Sequence, residues 1–434
     1  MTHLILEAVK DVRTLQGSLN LRYHDGTPKD LVLKAIDVIR TGVCYPAFLN
    51  DKVMIPLLLK WGLPLSDARN YAVRGCVYVN IPGKNMVRRT AGYLILPKCL
   101  WWALHGGIDP RTGEKKGAPT ADPNDFTSIQ DVLDAYLDQV RYFFGKQVRL
   151  ENFSRTIFAE HMPRPFLSAL IDESIQRGQD CRKWTYPYQG VDNVITIGPT
   201  NVADSLAAIK KLVFDEKRFR MDEFISILDR NWEGSEDLRM EVLTRFPRFG
   251  NDDDYVDGIA KEVHHRTEAA VEEFESNWGL QYVCDGSGVS ATYGLAFDTP
   301  ATPDGRKDGE PFADATLSPS PGADRMGPTA VLKSASKIDT LQTCQQLLNQ
   351  KFLPQFLEGN NIESFYSYLK TWSALGISHI QFNVVDRETL MDAQQHPEKH
   401  TDLIVRVAGY SAYFADLSKG LQDHIMARTE QSFG

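Results

Sequence analysis

Along "SIQDVLDAYLDQVRYFF" apolar side chains recur at Ile129, Val132, Leu133, Tyr136, Leu137 and Val140. Steps of three and four place them on one face of a helix. Thr127 and Gln130 stand where a capping box would start it. "NVITIG" then changes to the short apolar run of a buried strand. Through Pro199 it passes into the helix "NVADSLAAIKKLVF", with Val202, Leu206, Ile209 and Val213 inward. "SHIQFNVVD" is another strand, and the helix "RETLMDAQQ" after it stops at Pro397. This alternation predicts an α/β fold with much parallel pairing. The stretches "DPRTGEKKGAPTADPND" and "DTPATPDGRKDGEP" read as long surface loops. Near the C-terminus "DLIVRVAGY" reads as a buried strand, interrupted by Gly409 between Ala408 and Tyr410. Glycine inside such a run weakens it and marks a bulge or a close backbone approach.

A length of 434 residues allows one large α/β unit or two to three domains. Hydrophobic content of 42% and charge of 24% are ordinary for a soluble globular protein. A net charge of −9 without any basic block argues against a nucleic-acid partner. "MTHLILEAVKDV" has the pattern of neither a signal nor a transit peptide, and no apolar run reaches the length of a membrane span. The cysteines Cys44, Cys76, Cys99, Cys181, Cys284 and Cys344 are scattered singly, which favours a reducing cytoplasm over disulfides or a zinc ribbon.

Several motifs lead nowhere. His396 and His400 flank Pro397 at a helix boundary, without a further ligand set. "NDDDYVDG" fails the Ca²⁺-loop spacing at its fifth position and reads as a capped turn. "NIPGKN" lacks the phosphate-loop spacing, and His264 and His265 are expected on an exposed helix face. Cys76, read alone in "VRGCVYVNIPGKN", is a structural cysteine in an apolar, strand-like segment.

Taken together, "RVAGYSAYF", "LQDHIMART" and "RGCV" resemble the radical-bearing segment and the thiyl loop of the glycyl radical enzymes, the pyruvate formate-lyase superfamily. "FGNDDDYVD", "GPTAVLKSASK" and "HIQFNVV" are similar to family stretches too, so the resemblance spans essentially the whole chain. It implies the C-terminal half of a ten-stranded α/β barrel, with a barrel portion over residues 1–310 carrying the thiyl loop and a glycine radical domain over 311–434. It also implies that Gly409 stores an unpaired electron and passes it to Cys76, whose thiyl takes hydrogen from a substrate. A carbon radical flanked by an amide nitrogen and a carbonyl is delocalised only if the backbone flattens, and a Cβ would crowd that arrangement. No bound cofactor is needed once the radical exists; a radical-SAM activating enzyme, with S-adenosylmethionine and a 4Fe-4S cluster, installs it.

The thiyl loop narrows the choice of member. Pyruvate formate-lyase carries two adjacent cysteines, whereas this chain has Gly75-Cys76. The family's dehydratases and arylacetate decarboxylases carry a glutamate base two residues after the cysteine; here that position is Tyr78, a poor base at neutral pH. Hydrogen abstraction followed by addition to fumarate tolerates that loss, as in the benzylsuccinate and alkylsuccinate synthase group. Arg88, with Arg89 beside it, stands where those enzymes hold a fumarate carboxylate, although the pair also reads as surface arginines. The expectation is therefore fumarate addition. The alternatives are a dehydratase or decarboxylase with a displaced base, a split-enzyme subunit whose partner supplies the N-terminal half-barrel, or a radical-domain repair protein. A homo-oligomer is also expected.

Overall fold

The computed structural model describes residues 1–15, 19–84, 90–110, 112–183, 191–286 and 291–432. Its strands are β1 (Asn20–Tyr23), β2 (Ala47–Asn50), β3 (Ala72–Arg74), β4 (Tyr78–Asn80), β5 (Thr90–Ile95), β6 (Val191–Ile197), β7 (Gln281–Asp285), β8 (Asn349–Phe352), β9 (His379–Val384), β10 (Ile404–Arg406), β11 (Ser411–Tyr413) and β12 (Glu430–Gln431). β5, β6 and β7 pair in parallel, and β8 pairs in parallel with β9 and β12. A parallel bridge from Gly286 to Gln346 joins these two groups, and β9 then turns the direction by pairing antiparallel with β2, itself parallel to β1. The result is an arc in the order β5-β6-β7-β8-β9-β2-β1, five parallel strands followed by two running the other way. The expected α/β barrel architecture is the one observed.

Helices pack on the outer face of the arc. Tyr282 and Cys284 of β7, Val194 of β6 and Ile380, Phe382 and Val384 of β9 share one core with the helices Leu96–Leu104, Ile129–His161, Pro199–Ile209 and Asp254–Glu272. Because side chains alternate along a strand, Asn193, Asp285, His379, Gln381 and Asn383 project to the inner face. All five are nearly or fully buried. Polar residues on the concave side of an apolar wall define the interior of the arc as the place for chemistry.

Several sequence expectations shift. The helix expected at 128–144 runs Ile129–His161, and its capping box is formed by Ser128 and Asp131, with Thr127 also donating to Asp131. The helix after Pro199 ends at Ile209 and widens into a π-turn over Lys210–Asp215, where Leu212 is buried and Val213 half-buried. The stretch 298–311 is not a surface loop through most of its length: Thr302, Asp304 and Arg306 are buried, and the Arg306 guanidinium donates to the carbonyls of Thr299 and Pro300. His264 is buried, not exposed, and burial pushes its pKa down to about 3. The 400-region imidazole behaves as expected: His400 meets Asp392 at a helix end. "NDDDYVDG", expected as a capped turn, is the start of the helix Asp254–Glu272: Asp253 is its N-cap, accepting from the amide of Tyr255, and Asp257 is buried. Among the described residues no helix is long and apolar enough to cross a membrane.

Two hairpins fill the interior. β3 and β4 pair antiparallel from Ala72↔Asn80 to Arg74↔Tyr78, leaving Gly75, Cys76 and Val77 at the tip. Gly75 takes a φ of +61°, which the reversal requires and which suits glycine. β10 and β11 form the second hairpin, with Val407 to Tyr410 as its turn, closed by the Val407 amide donating to the Tyr410 carbonyl. Thus neither Cys76 nor Gly409 lies in a strand interior; each occupies the tip of a hairpin.

Candidate active site

The Gly409 hairpin is fixed to the inner wall by side chains that imitate a β-ladder. Asn383 of β9 accepts from the amide of Arg406 at 2.7 Å and donates to its carbonyl at 2.8 Å. Gln381, two residues back on the same face, accepts from Arg406 Nε at 2.7 Å. From the other side Arg428 donates to the carbonyls of Arg406 and Val407 and pairs with Asp314 at 2.6 Å. Val407, Ala408 and Gly409 are buried beneath this lattice.

At the two tips the backbones nearly touch. A Cβ built on Gly409 would lie 2.8 Å from Cys76 Cα and closer still to the Cys76 side chain, so no other residue fits. Gly409 also has a φ of +78°, in the left-handed region that a side chain disfavours. The Cys76 thiol donates to the carbonyl of Ala408 at 3.4 Å. Burial pushes this thiol up to about 11, with Arg406 and Arg74 pulling it down and Asp285 pushing it further up. A protonated thiol is the right reagent for hydrogen-atom exchange, since a thiolate has no hydrogen to give.

Tyr78 does not stand free beside the thiol. It packs against the apolar Ile195 and Ile197 of β6, and the Arg74 guanidinium lies 4.9 Å from its ring centre. Arg88 and Arg89 fall outside the described residues. The remaining cysteines are buried and form no disulfide. Cys44 lies at the base of the radical hairpin, its thiol directed at the Ile404 carbonyl, and burial raises it to about 11. Sequence reasoning missed Gln381, Asn383, Arg406, Arg428 and Asp285. "HIQFN" and "RTEQ" contained three of the five, Gln381, Asn383 and Arg428, but nothing local indicates that their polar side chains converge.

Residues 1–294 match the family described as pyruvate formate lyase-like, and residues 313–415 match the glycine radical family. The trans-4-hydroxy-L-proline dehydratase of Clostridioides difficile is 34% identical over 434 residues, covering 100% of this chain and 55% of that protein. The isethionate sulfite-lyase of Desulfovibrio desulfuricans is 34% identical, over 99% of this chain and 52% of that protein. The solved glycerol-bound B12-independent glycerol dehydratase of Clostridium butyricum superimposes with a TM-score of 0.94 at 35% identity, over 99% of this chain and 55% of that one. The fold and its paired hairpins are those of a glycyl radical enzyme. The chain belongs to the pyruvate formate lyase-like family and carries the glycine radical match at its C-terminal end. It spans about half the length of the curated relatives it matches. The relatives named are dehydratases and a lyase, which moves the functional reading away from the expected fumarate addition and toward the dehydratase alternative.

Proposed function

We propose that this chain is the reactive part of a glycyl radical lyase that eliminates a leaving group, water or an anion such as sulfite, from a small polar substrate. The observation that carries the reading is the meeting of the two tips, with Cys76 occupying the space beside Gly409. In this reading Gly409 bears the stored radical and exchanges a hydrogen atom with Cys76, and the Cys76 thiyl takes hydrogen from the substrate carbon next to the bond to be broken. Gly409 is buried, while Gly75 and Tyr410 are exposed and Cys76 is half-buried, so in this reading the rest of the barrel completes the seclusion of the radical. The names of the relatives, which remove water from hydroxylated substrates and sulfite from isethionate, support elimination.

The radical requires an outside oxidant, so the reading includes a radical-SAM activating enzyme with S-adenosylmethionine and an iron–sulfur cluster as partner. It also includes the remaining part of the barrel, from a preceding segment or a separate chain. The test is anaerobic activation of the complete assembly, then product analysis with glycerol, isethionate, trans-4-hydroxy-L-proline, and fumarate plus toluene. Elimination products from one of the first three are expected. A fumarate adduct in their place would overturn the reading.

A further inference from the structure

Elimination from a carbon radical leaves one requirement unassigned. When a hydroxyl-bearing carbon loses hydrogen and its neighbour loses an anion, the hydroxyl proton must also go. Among the described residues, the charged groups that act on the Cys76 thiol are Arg406, Asp285 and Arg74. Arg406 and Arg74 are donors only and cannot accept a proton. Tyr78, whose ring packs against Ile195 and Ile197, is a phenol and a poor base at neutral pH. His379, on the inner face of β9, is pushed down to about 3 by burial beside Arg406, so its imidazole is a weak base.

Among the described residues, Asp285 is the acidic neighbour of the thiol. It ends β7 with its side chain on the inner face, fully buried. Its register partner on β6 is Ile195, the residue on which Tyr78 of the Cys76 hairpin packs. The next residue, Gly286, exchanges backbone hydrogen bonds with Gln345 and Leu347, and Leu347 shares an apolar cluster with Cys76 and Val77. No side chain fits at Gly286, where a Cβ would meet the Gln345 carbonyl at 2.5 Å, so β7 is drawn tight against this strand. Asn193 donates to Asp285 Oδ2 at 2.7 Å and fixes the orientation of the carboxylate. A carboxylate is costly to bury unless it is paired or hydrogen-bonded, so its place on this inner face is not incidental.

We propose that Asp285 is the proton-carrying catalytic residue of this site, accepting the substrate hydroxyl proton during elimination and exchanging the Cys76 thiol proton with solvent between turnovers. The first role rests on the elimination reading. The step balances. The thiyl takes a hydrogen atom from the hydroxyl-bearing carbon and becomes a thiol, while Asp285 takes the hydroxyl proton as the carbonyl forms. The neighbouring bond breaks and its electron pair leaves with hydroxide or sulfite. The new carbon radical, beside the carbonyl, recovers a hydrogen atom from Cys76. Asp285 returns its proton to the leaving anion or to water, and no oxidant or reductant is consumed.

The test uses the activated assembly without substrate. The glycyl signal is a doublet because one α-hydrogen remains; in D₂O, exchange through the Cys76 thiol replaces that hydrogen and collapses the doublet to a singlet. Asp285→Asn should hold the doublet at least tenfold longer than wild type, and Asp285→Glu should restore collapse. Collapse of the Asn variant at the wild-type rate would overturn the proposal. If the Asn variant accepts no radical, iodoacetamide alkylation of Cys76 in the unactivated protein decides. Loss of the carboxylate should move the alkylation profile to lower pH, and an unmoved profile counts against Asp285. Turnover by wild type on the elimination substrates is read separately, so a slow-exchanging Asn variant alongside an inactive wild type would refute the elimination reading and leave the exchange role standing.

Discussion

The Cys76 thiol rests on the Ala408 carbonyl at 3.4 Å, one peptide bond from the α-carbon of Gly409. Glycine is required at 409 twice over, by a φ of +78° and by the absence of room for a Cβ. The left-handed conformation alone costs another residue about 1–2 kcal/mol, and the clash with Cys76 adds to it. Gly409→Ala is therefore expected to abolish the glycyl doublet in spin resonance and to lower the urea midpoint. In wild type, admitting air after activation should cut the chain at Gly409, giving two fragments in mass spectrometry.

Cys76→Ser should keep the doublet and lose turnover, because a hydroxyl hydrogen is too strongly bound to be relayed. Cys44→Ser, at the base of the radical hairpin, should retain turnover, with a stability loss from its buried position. Product formation by Cys76→Ser would transfer the relay to another thiol.

Arg428 is expected to act as the latch of the radical hairpin. Its pairing with Asp314 is buried on both sides, so Arg428→Met should destabilise by about 3–5 kcal/mol, the usual cost of leaving one buried charge alone. Amide hydrogen exchange should accelerate over 404–413 more than over β6 or β7. Uniform acceleration would instead indicate general loosening.

Glu268 lies buried beneath β7, accepting from the Cys284 amide, and burial with the nearby Glu272 pushes its pKa from 4.5 up to about 8. A raised folded-state pKa gives stability that is fully present below about 4.5 and is lost as pH rises through about 8. At this site wild type should lose about 1.4 kcal/mol per pH unit within that window. Glu268→Gln keeps the shape without the titration, so its stability relative to wild type should rise between pH 5 and pH 8. Parallel urea titrations of the two proteins measure the difference.

Periodicity made the helices and the α/β class readable from the sequence, because each is written within a dozen neighbouring residues. Its errors were local too: Ser128 and Asp131 cap the long helix one position away from the Thr127 and Gln130 pair. His264 was misplaced because Lys261, Glu262 and Arg266 around it look solvated, while a hydrogen-bond partner of its ring, the Thr316 backbone, lies far along the chain. Cys76 and Gly409 were found through motif resemblance. Their contact crosses more than three hundred residues and has no local signature. Asp285 offered only one clue, an acidic residue ending the apolar run "QYVCD". Tyr78 was expected to contact substrate; the structure shows its ring against Ile195 and Ile197 with Arg74 beside it, contacts that no local pattern announces.

Among the described strands β1 pairs only with β2, and β5 only with β6. Each end of the arc therefore presents a rim of backbone donors and acceptors; on β5, Gln147 covers one of them by donating to the Tyr93 carbonyl. Such rims seek strands, and two of them on one polypeptide favour chain-to-chain stacking. For anyone handling this polypeptide by itself, concentration is then the variable to control. Dilute samples should sediment as single chains and concentrated ones as growing aggregates, while a covering strand supplied from elsewhere should suppress both turbidity and thioflavin binding.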